Sequence, residues 1–344
     1  MNGEWSWVFH DLTSRQERKQ SSELTIYHLL FTSMSLAYIF PGQGSQHPGM
    51  GKDLFENFPE AARLFEELNE ALHFSVSRLC FEGSPEDLQL TENTQPAIFS
   101  VSAAALRAME AEGFPRPDFV AGHSLGEYSA LFAARSLTAG DAAQTVRSRG
   151  RYMQEAVPVG TGAMAAVIGA GLQEIEKACA EAEQGQICAP ANINSGSQVV
   201  IAGNTEAVDR ASELLRSGAK RVLKLNVSAP FHSALMMPAQ ERLASDLDGL
   251  EFADLTVPLV TNVDAAITRS GADARDALVR QVSSPVRWLE SMELLIREGV
   301  DTFVEVGPGK VLSGLMRQIS REVKCFNVED AASLKSAAAN LGVS

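Results

Sequence analysis

The stretch Phe119-Val120-Ala121-Gly122-His123-Ser124-Leu125-Gly126 reads as a short apolar strand that breaks at a glycine and passes at once into helical sequence over residues 125–134. A G-x-S-x-G pattern between a strand and a helix is the arrangement of a nucleophile elbow. The glycines permit a tight turn and close approach of the helix. The turn lifts Ser124 above the sheet edge at the helix N-terminus, where the backbone N–H of Leu125 can face a developing oxyanion. Ser124 is therefore the candidate nucleophile of an enzyme that moves an acyl group through a serine ester. The competing reading is a glycine-rich strand-to-helix turn with a surface serine.

Outward from the elbow, apolar runs and helical spacing alternate. Residues 36–40 form a strand ended by Pro41-Gly42, and helical spacing covers 61–72, 95–112 and 141–155. Residues 162–225 read strand, helix, strand, strand, helix, strand, with Asn194-Ser195-Gly196-Ser197 as the hairpin turn and Asn204 or Thr205 as a helix cap. That order is the ferredoxin-like arrangement. Further helices are expected at 234–247, 272–282, 288–298, 310–319 and 331–341, and strands at 258–263, 302–306 and 324–328. The fold class is thus α/β with a mainly parallel sheet. A large catalytic domain over 35–157 and 229–344 is interrupted by a ferredoxin-like insertion over 158–228.

A serine hydroxyl needs a base. Of the six histidines, His10 and His28 lie in the first 33 residues, His73 ends a helix away from any motif, and His47 sits in a polar loop. His123 precedes Ser124 on the elbow, so its ring should turn away into a supporting hydrogen bond. His232, in Ala229-Pro230-Phe231-His232-Ser233, begins a helix where the chain re-enters the main domain and is the candidate base. No acid lies close to it in sequence, so its orienting group is either a distant Asp or Glu or a backbone carbonyl. In Phe40-Pro41-Gly42-Gln43-Gly44-Ser45-Gln46 the glycines let the Gln43 backbone approach a ligand, as a second oxyanion donor. An arginine fork for a substrate carboxylate is available from Arg147, Arg149 or Arg151, which spacing alone does not separate.

The 344 residues carry a net charge of -14, which argues against a nucleic-acid binder. Cys80, Cys179, Cys188 and Cys325 show neither CxxC nor ligand spacing, so no metal site or disulfide framework is expected, and no apolar run approaches a membrane span. A cytoplasmic enzyme follows. Residues 1–33 are read as an upstream extension without a role in the chemistry. Their acidic, aromatic start does not fit an export signal, and Met34 reads as a natural start. Gly307-Pro308-Gly309-Lys310 is not a P-loop, because Val304 and Val311 stand where glycine and Ser or Thr are needed.

Taken together, FPGQGSQ (40–46), GHSLGEYSAL (122–131), RGRYMQEAVPVGTGAM (149–164), ANINS (191–195), VSAPFHS (227–233), PVRW (285–288) and VEVGPGKVLSGL (304–315) resemble the malonyl-CoA:acyl carrier protein transacylase family of type II fatty-acid synthesis. The resemblance runs from about residue 35 to the C-terminus. It implies an α/β-hydrolase-like core with a ferredoxin-like insertion, malonyl-CoA as substrate, acyl carrier protein as partner and no bound cofactor. It implies that Ser124 takes the malonyl group, that His232 is general base and acid, and that Gln43 and Leu125 supply oxyanion N–H groups. It selects Arg149 for the malonyl carboxylate. It places Gln281 in the substrate site, with its backbone carbonyl orienting the histidine, so that the site is a Ser-His dyad. Asn192 and Asn194 match residues near the pocket. Leu125 and Phe231 resemble malonyl-selective members, a bulky Phe231 leaving little room for an α-methyl group. An acidic carrier needs a local basic surface, for which Lys220, Arg221 and Lys224, and Lys310 with Arg317, are the candidates. A serine hydrolase and a non-catalytic carrier-binding protein are the rivals. The first should lack the arginine, and the second need not keep the nucleophile and base.

Overall fold

The computed structural model describes residues 34–227 and 229–343. The reading of residues 1–33 as an extension lies outside the described residues. From Leu36 onward the described residues form one compact unit.

At its centre lies β1 (Leu36–Phe40), buried at every residue. Alternate side chains enter different cores: Leu36, Tyr38 and Phe40 join the larger one, whereas Ala37 and Ile39 join Ala121, Trp288 and Met292 in the other. A strand covered on both faces has no polar side, which is why this one reads as an unbroken apolar run. Parallel to β1 lie β2 (Phe119–Gly122) and β9 (Thr302–Val306). The six-stranded sheet is completed by β7 (Leu259–Val260), β8 (Ile267–Thr268) and β10 (Lys324–Val328), in the order β10-β9-β1-β2-β7-β8. Only β8 runs antiparallel to its neighbour.

A second, four-stranded antiparallel sheet contains β3 (Gly162–Ile168), β4 (Cys188–Ser195), β5 (Gln198–Asn204) and β6 (Arg221–Lys224), ordered β4-β5-β3-β6. With helices Leu172–Glu183 and Thr205–Leu215 on one face, it has its own apolar cluster around Val167, Ile175, Ile201 and Val208. Asn192 on β4 forms a parallel bridge with the backbone of Val286, which lies outside both sheets, between helices Gly271–Gln281 and Trp288–Arg297.

The sequence expectation differs from the structure in places. Helices Lys52–Asn57, Val76–Glu82 and Pro85–Gln89 are too short for a period to register. The strand expected over 258–263 is paired only at Leu259–Val260, because its following residues serve the site instead. Asn204 occupies the cap position of helix Thr205–Leu215, but its side chain accepts the Ile187 N–H (2.8 Å) rather than a helix amide. His232 does not begin a helix; it precedes the 3-10 turn Ala234–Met236 with φ 57°.

Two glycines place the chemistry. A Cβ on Gly122 would lie 2.0 Å from the Gly126 carbonyl, so the elbow closes only without a side chain there. A Cβ on Gly150 would lie 2.5 Å from the Thr91 carbonyl oxygen, so helix Ala139–Glu155 presses directly on the start of helix Thr91–Ala111. That contact carries Arg149 to Gln95.

Candidate active site

Ser124 stands at the carboxyl end of β2 with φ 53°, a left-handed conformation that non-glycine residues adopt at a cost of about 1–3 kcal/mol. Leu125 follows as the cap of helix Gly126–Ala133. The Ser124 Oγ lies 2.7 Å from His232 Nε2. His232 Nδ1 lies 2.9 Å from the backbone oxygen of Gln281, which therefore accepts the ring N–H and leaves Nε2 as the lone-pair nitrogen toward serine. Burial and the neighbouring Arg149 charge pull the His232 pKa down to about 3, so the imidazole is neutral at physiological pH.

Arg149 is the fork that folding selects. The residue is 1 % exposed, and its guanidinium donates to Ser124 Oγ (3.1 Å), Gln95 Oε1 (2.8 Å) and Gln281 Oε1 (2.9 Å). Its Nε has no hydrogen-bond partner, and among the described residues no carboxylate forms an ion pair with it. A buried cation held by neutral amides is expensive unless an anion joins it. Arg147 instead stacks on Phe74 and donates to the Leu72 carbonyl, and Arg151 is exposed.

The side chains converge on a cavity of about 330 Å³ whose lining includes Gln43, Ser124, Arg149, Asn192, Phe231 and His232. Gln281 is not part of that lining. It is fully buried behind the site, bracing His232 with its main chain and Arg149 with its side chain. His123 turns away as expected, with Nε2 2.8 Å from Asn194 Oδ1 and its ring against Trp288. That bond ties the elbow to β4. A larger cavity, about 460 Å³, opens beside Tyr38, Phe114 and Arg116 where residues lead into β2 and β7; its lining has no serine, cysteine or histidine.

Sequence reasoning missed three residues. Gln95 holds Arg149. Glu127, fully buried, accepts from Asn262 N–H (2.9 Å) and Gln281 Nε2 (3.0 Å), and burial lifts its pKa to about 7. Asn262 contacts the elbow backbone on both sides of His123. The available signal was positional. Asn262 follows β7 as Ser124 follows β2 and Gln43 follows β1, and ligands of open α/β sheets bind beyond the carboxyl ends of strands.

Among the described residues no group of three or more His, Cys, Asp or Glu is arranged to hold a metal, and no helix is long and apolar enough to cross a membrane. The N-terminal amides of helix Val311–Ile319, which a phosphate would need, are taken by Glu305, which accepts from Leu312 and Ser313. Of the basic residues expected to attract a carrier, Lys220, Arg221 and Lys224 are exposed at β6, an edge strand. Lys224 is paired with Asp209 (2.7 Å) and Lys310 with Glu329 (3.4 Å), while Arg317 is exposed.

The family model described as the acyl transferase domain matches residues 37–340. The malonyl CoA-acyl carrier protein transacylase of Bacillus subtilis (strain 168) is 49% identical over 297 residues, covering 86% of this chain and 93% of that protein. The chain belongs to the malonyl-CoA:acyl carrier protein transacylase family. This acyltransferase is similar in structure to the transacylase of Coxiella burnetii, with a TM-score of 0.88 and 41% identity over 90% of this chain and 98% of that one. It is also similar, with a TM-score of 0.87 and 46% identity over 89% of this chain and 99% of the other, to a malonyl-transacylase solved in complex with a holo acyl-carrier protein of a type II polyketide system. The mixed α/β architecture, with a mainly parallel sheet beside an antiparallel one, is therefore the family's own.

Proposed function

We propose that this acyltransferase moves a malonyl group from malonyl-CoA to the phosphopantetheine thiol of an acyl carrier protein through a malonyl-Ser124 ester, supplying fatty-acid synthesis. The observation that carries the reading is the position of Ser124 Oγ, 2.7 Å from a neutral imidazole and 3.1 Å from a buried guanidinium that has no ion-pair partner among the described residues.

In the first half-reaction His232 Nε2 takes the Ser124 proton as Oγ attacks the thioester carbonyl. The oxyanion faces the N–H groups of Leu125 and Gln43. Collapse expels the CoA sulfur, which receives the proton from His232 and leaves as the thiol. Arg149 grips the malonyl carboxylate bidentately. In the second half the carrier thiol gives its proton to His232 and attacks the ester. The Ser124–acyl bond breaks, and Oγ recovers the proton. The same base thus serves both halves, as ping-pong exchange requires. Asn192, Asn194 and Phe231 shape the pocket, with Phe231 disfavouring an α-methyl substituent by about 1–3 kcal/mol. No cofactor is called for.

The test is intact-protein mass spectrometry. One malonyl group should add on mixing with malonyl-CoA and leave when holo carrier protein is supplied. A folded enzyme that never forms the adduct refutes the reading, and an adduct lost to water at the same rate with or without carrier makes the protein a hydrolase.

Two further expectations follow. Because kcat/KM reports ionisation of free enzyme, kcat/KM for malonyl-CoA should hold steady from neutrality down to about pH 5. It should fall only as His232 becomes protonated near its depressed value of about 3. An acid limb centred near the ordinary histidine value of 6.5 that persists in Glu127→Gln, where the buried carboxyl with a pKa of about 7 is removed, would contradict the buried, neutral base. We place carrier docking at Lys220 and Arg221, which have no ion-pair partner among the described residues. Reversing both charges should raise KM for the acidic carrier roughly tenfold while leaving KM for malonyl-CoA alone. An unchanged carrier KM would remove this surface from consideration.

A further inference from the structure

Asn262 is fully buried, and its side chain bonds the backbone of the nucleophile turn, with Gln281 Nε2 a further, longer donor to its Oδ1 at 3.4 Å. Its Oδ1 accepts the Ser124 N–H at 2.7 Å, and its Nδ2 donates to the Gly122 carbonyl at 2.7 Å. Its own backbone is held in turn: the N–H donates to Glu127 Oε2 at 2.9 Å, and the carbonyl accepts from Arg287 N–H at 3.0 Å. Only one orientation of the carboxamide satisfies both elbow contacts, oxygen toward the N–H and nitrogen toward the C=O.

The reason for this arrangement lies in the sheet. β2 pairs with β7 only at Val120↔Leu259 and Ala121↔Val260. On its other edge β2 remains tied to β1, where the His123 N–H bonds to the Phe40 carbonyl at 2.9 Å. Beyond Ala121 the β7 side of the elbow has therefore lost its backbone partner just where Ser124 must take a left-handed φ of 53°. A carboxamide carries one acceptor and one planar donor, as a peptide group does.

We propose that Asn262 is the positioning residue that holds Ser124 in its attacking conformation, its carboxamide standing in for the missing rung of the β2–β7 ladder. The inference rests on the reading of Ser124 as the acylated residue. Asn262 touches no reacting atom; it acts through the serine backbone.

One substitution at this position can be switched by a proton. Asn262→Asp has the same shape. When protonated, its O–H replaces the donor to Gly122 and its C=O still accepts from Ser124. When ionised, it sets a second acceptor against the Gly122 carbonyl. The charged and titratable groups around the position are Glu127 on helix Gly126–Ala133, Arg149 on helix Ala139–Glu155, His232 and His123, and Asp264 with its partners Arg280 and Arg287. The aspartate variant should therefore lose activity relative to wild type as pH rises.

The experiment is single-turnover malonylation by malonyl-CoA, quenched and read by mass, across pH. Asn262→Ala should acylate roughly 10²-fold more slowly, the scale of effect of a misplaced nucleophile, with the malonyl-CoA concentration dependence unchanged. Asn262→Asp should approach wild type at the acid end and fall toward the alanine variant at the basic end. Wild-type rates in Asn262→Ala overturn the proposal, as does an aspartate variant whose ratio to wild type is the same at every pH. Should circular dichroism show Asn262→Ala unfolded, the isosteric aspartate variant decides alone by that ratio. A wild-type enzyme that takes no malonyl group overturns the Ser124 reading and this inference together; acylation of wild type and Asn262→Ala at one rate overturns this inference only.

Discussion

Ser124→Ala is expected to take up no malonyl group from malonyl-CoA and to lose carrier-dependent transfer by about 10⁴-fold or more. The size of the effect follows from the chemistry. Without Oγ there is no covalent intermediate, and the only remaining route is direct attack of one thiol on the other's thioester. The cavity, Arg149 and the N–H groups of Gln43 and Leu125 stay in place, so substrate still binds. Loss of rate without loss of binding separates removal of the nucleophile from damage to the fold. Removing Oγ also deletes the partner of His232 Nε2 at 2.7 Å and of one Arg149 N–H at 3.1 Å. The variant should remain folded, since the Ser124 N–H is held by Asn262 whatever the side chain. Intact mass, circular dichroism and malonyl-CoA binding to the same sample check this. A malonyl adduct on the alanine variant would move the nucleophile elsewhere.

The second large effect is on substrate choice. Arg149→Ala should lower malonyl transfer by about 10²-fold or more, the scale for deleting one partner of a buried, hydrogen-bonded charge pair. Acetyl transfer from acetyl-CoA should change far less. An uncharged acyl group gains nothing from a guanidinium, whereas a malonyl carboxylate supplies the anion that Arg149 lacks among the described residues. The same charge helps hold His232 below its ordinary range. Binding of a carboxylate at Arg149 offsets that charge and makes the imidazole a stronger base at the moment it is needed. The alanine variant should therefore show an acid limb in kcat/KM shifted upward from the wild-type position. Arg149→Lys should recover little, because a single ammonium cannot reproduce donation to Ser124, Gln95 and Gln281 in one plane. Equal losses for malonyl and acetyl substrates would sink the carboxylate clamp.

Much of the site was legible because its residues lie in local patterns. The elbow needs glycines at 122 and 126 around Ser124, and the chain shows them between an apolar strand and a helix. With six histidines, position and elimination pointed to His232. The choice among Arg147, Arg149 and Arg151 was different in kind. Their spacing on one helix is symmetrical, and only the packing of that helix on Thr91, through Gly150, buries Arg149 and turns the other two elsewhere. Gln281 was legible only through family resemblance, and its place behind the pocket depends on how helix Gly271–Gln281 ends beside the elbow. Gln95 and Glu127 left no local trace, and Asn262 only its place after a strand. Each is a polar residue at a position whose burial is created by other segments, and a buried polar group takes its meaning from partners distant in the chain.

What the sequence determined by itself, then, was whatever depends on neighbours a few residues apart: the alternation of strands and helices, the antiparallel βαββαβ segment, and the strained turn that presents Ser124. The tertiary structure decided which charges are paired, by what packing Arg149 rather than its neighbours faces the serine, and which amides orient the elbow. The division has one physical cause. Backbone conformation responds to short-range sterics and apolar periodicity, whereas hydrogen-bond partners and burial exist only once segments as far apart as Gly122 and Asn262 have been brought to 2.7 Å.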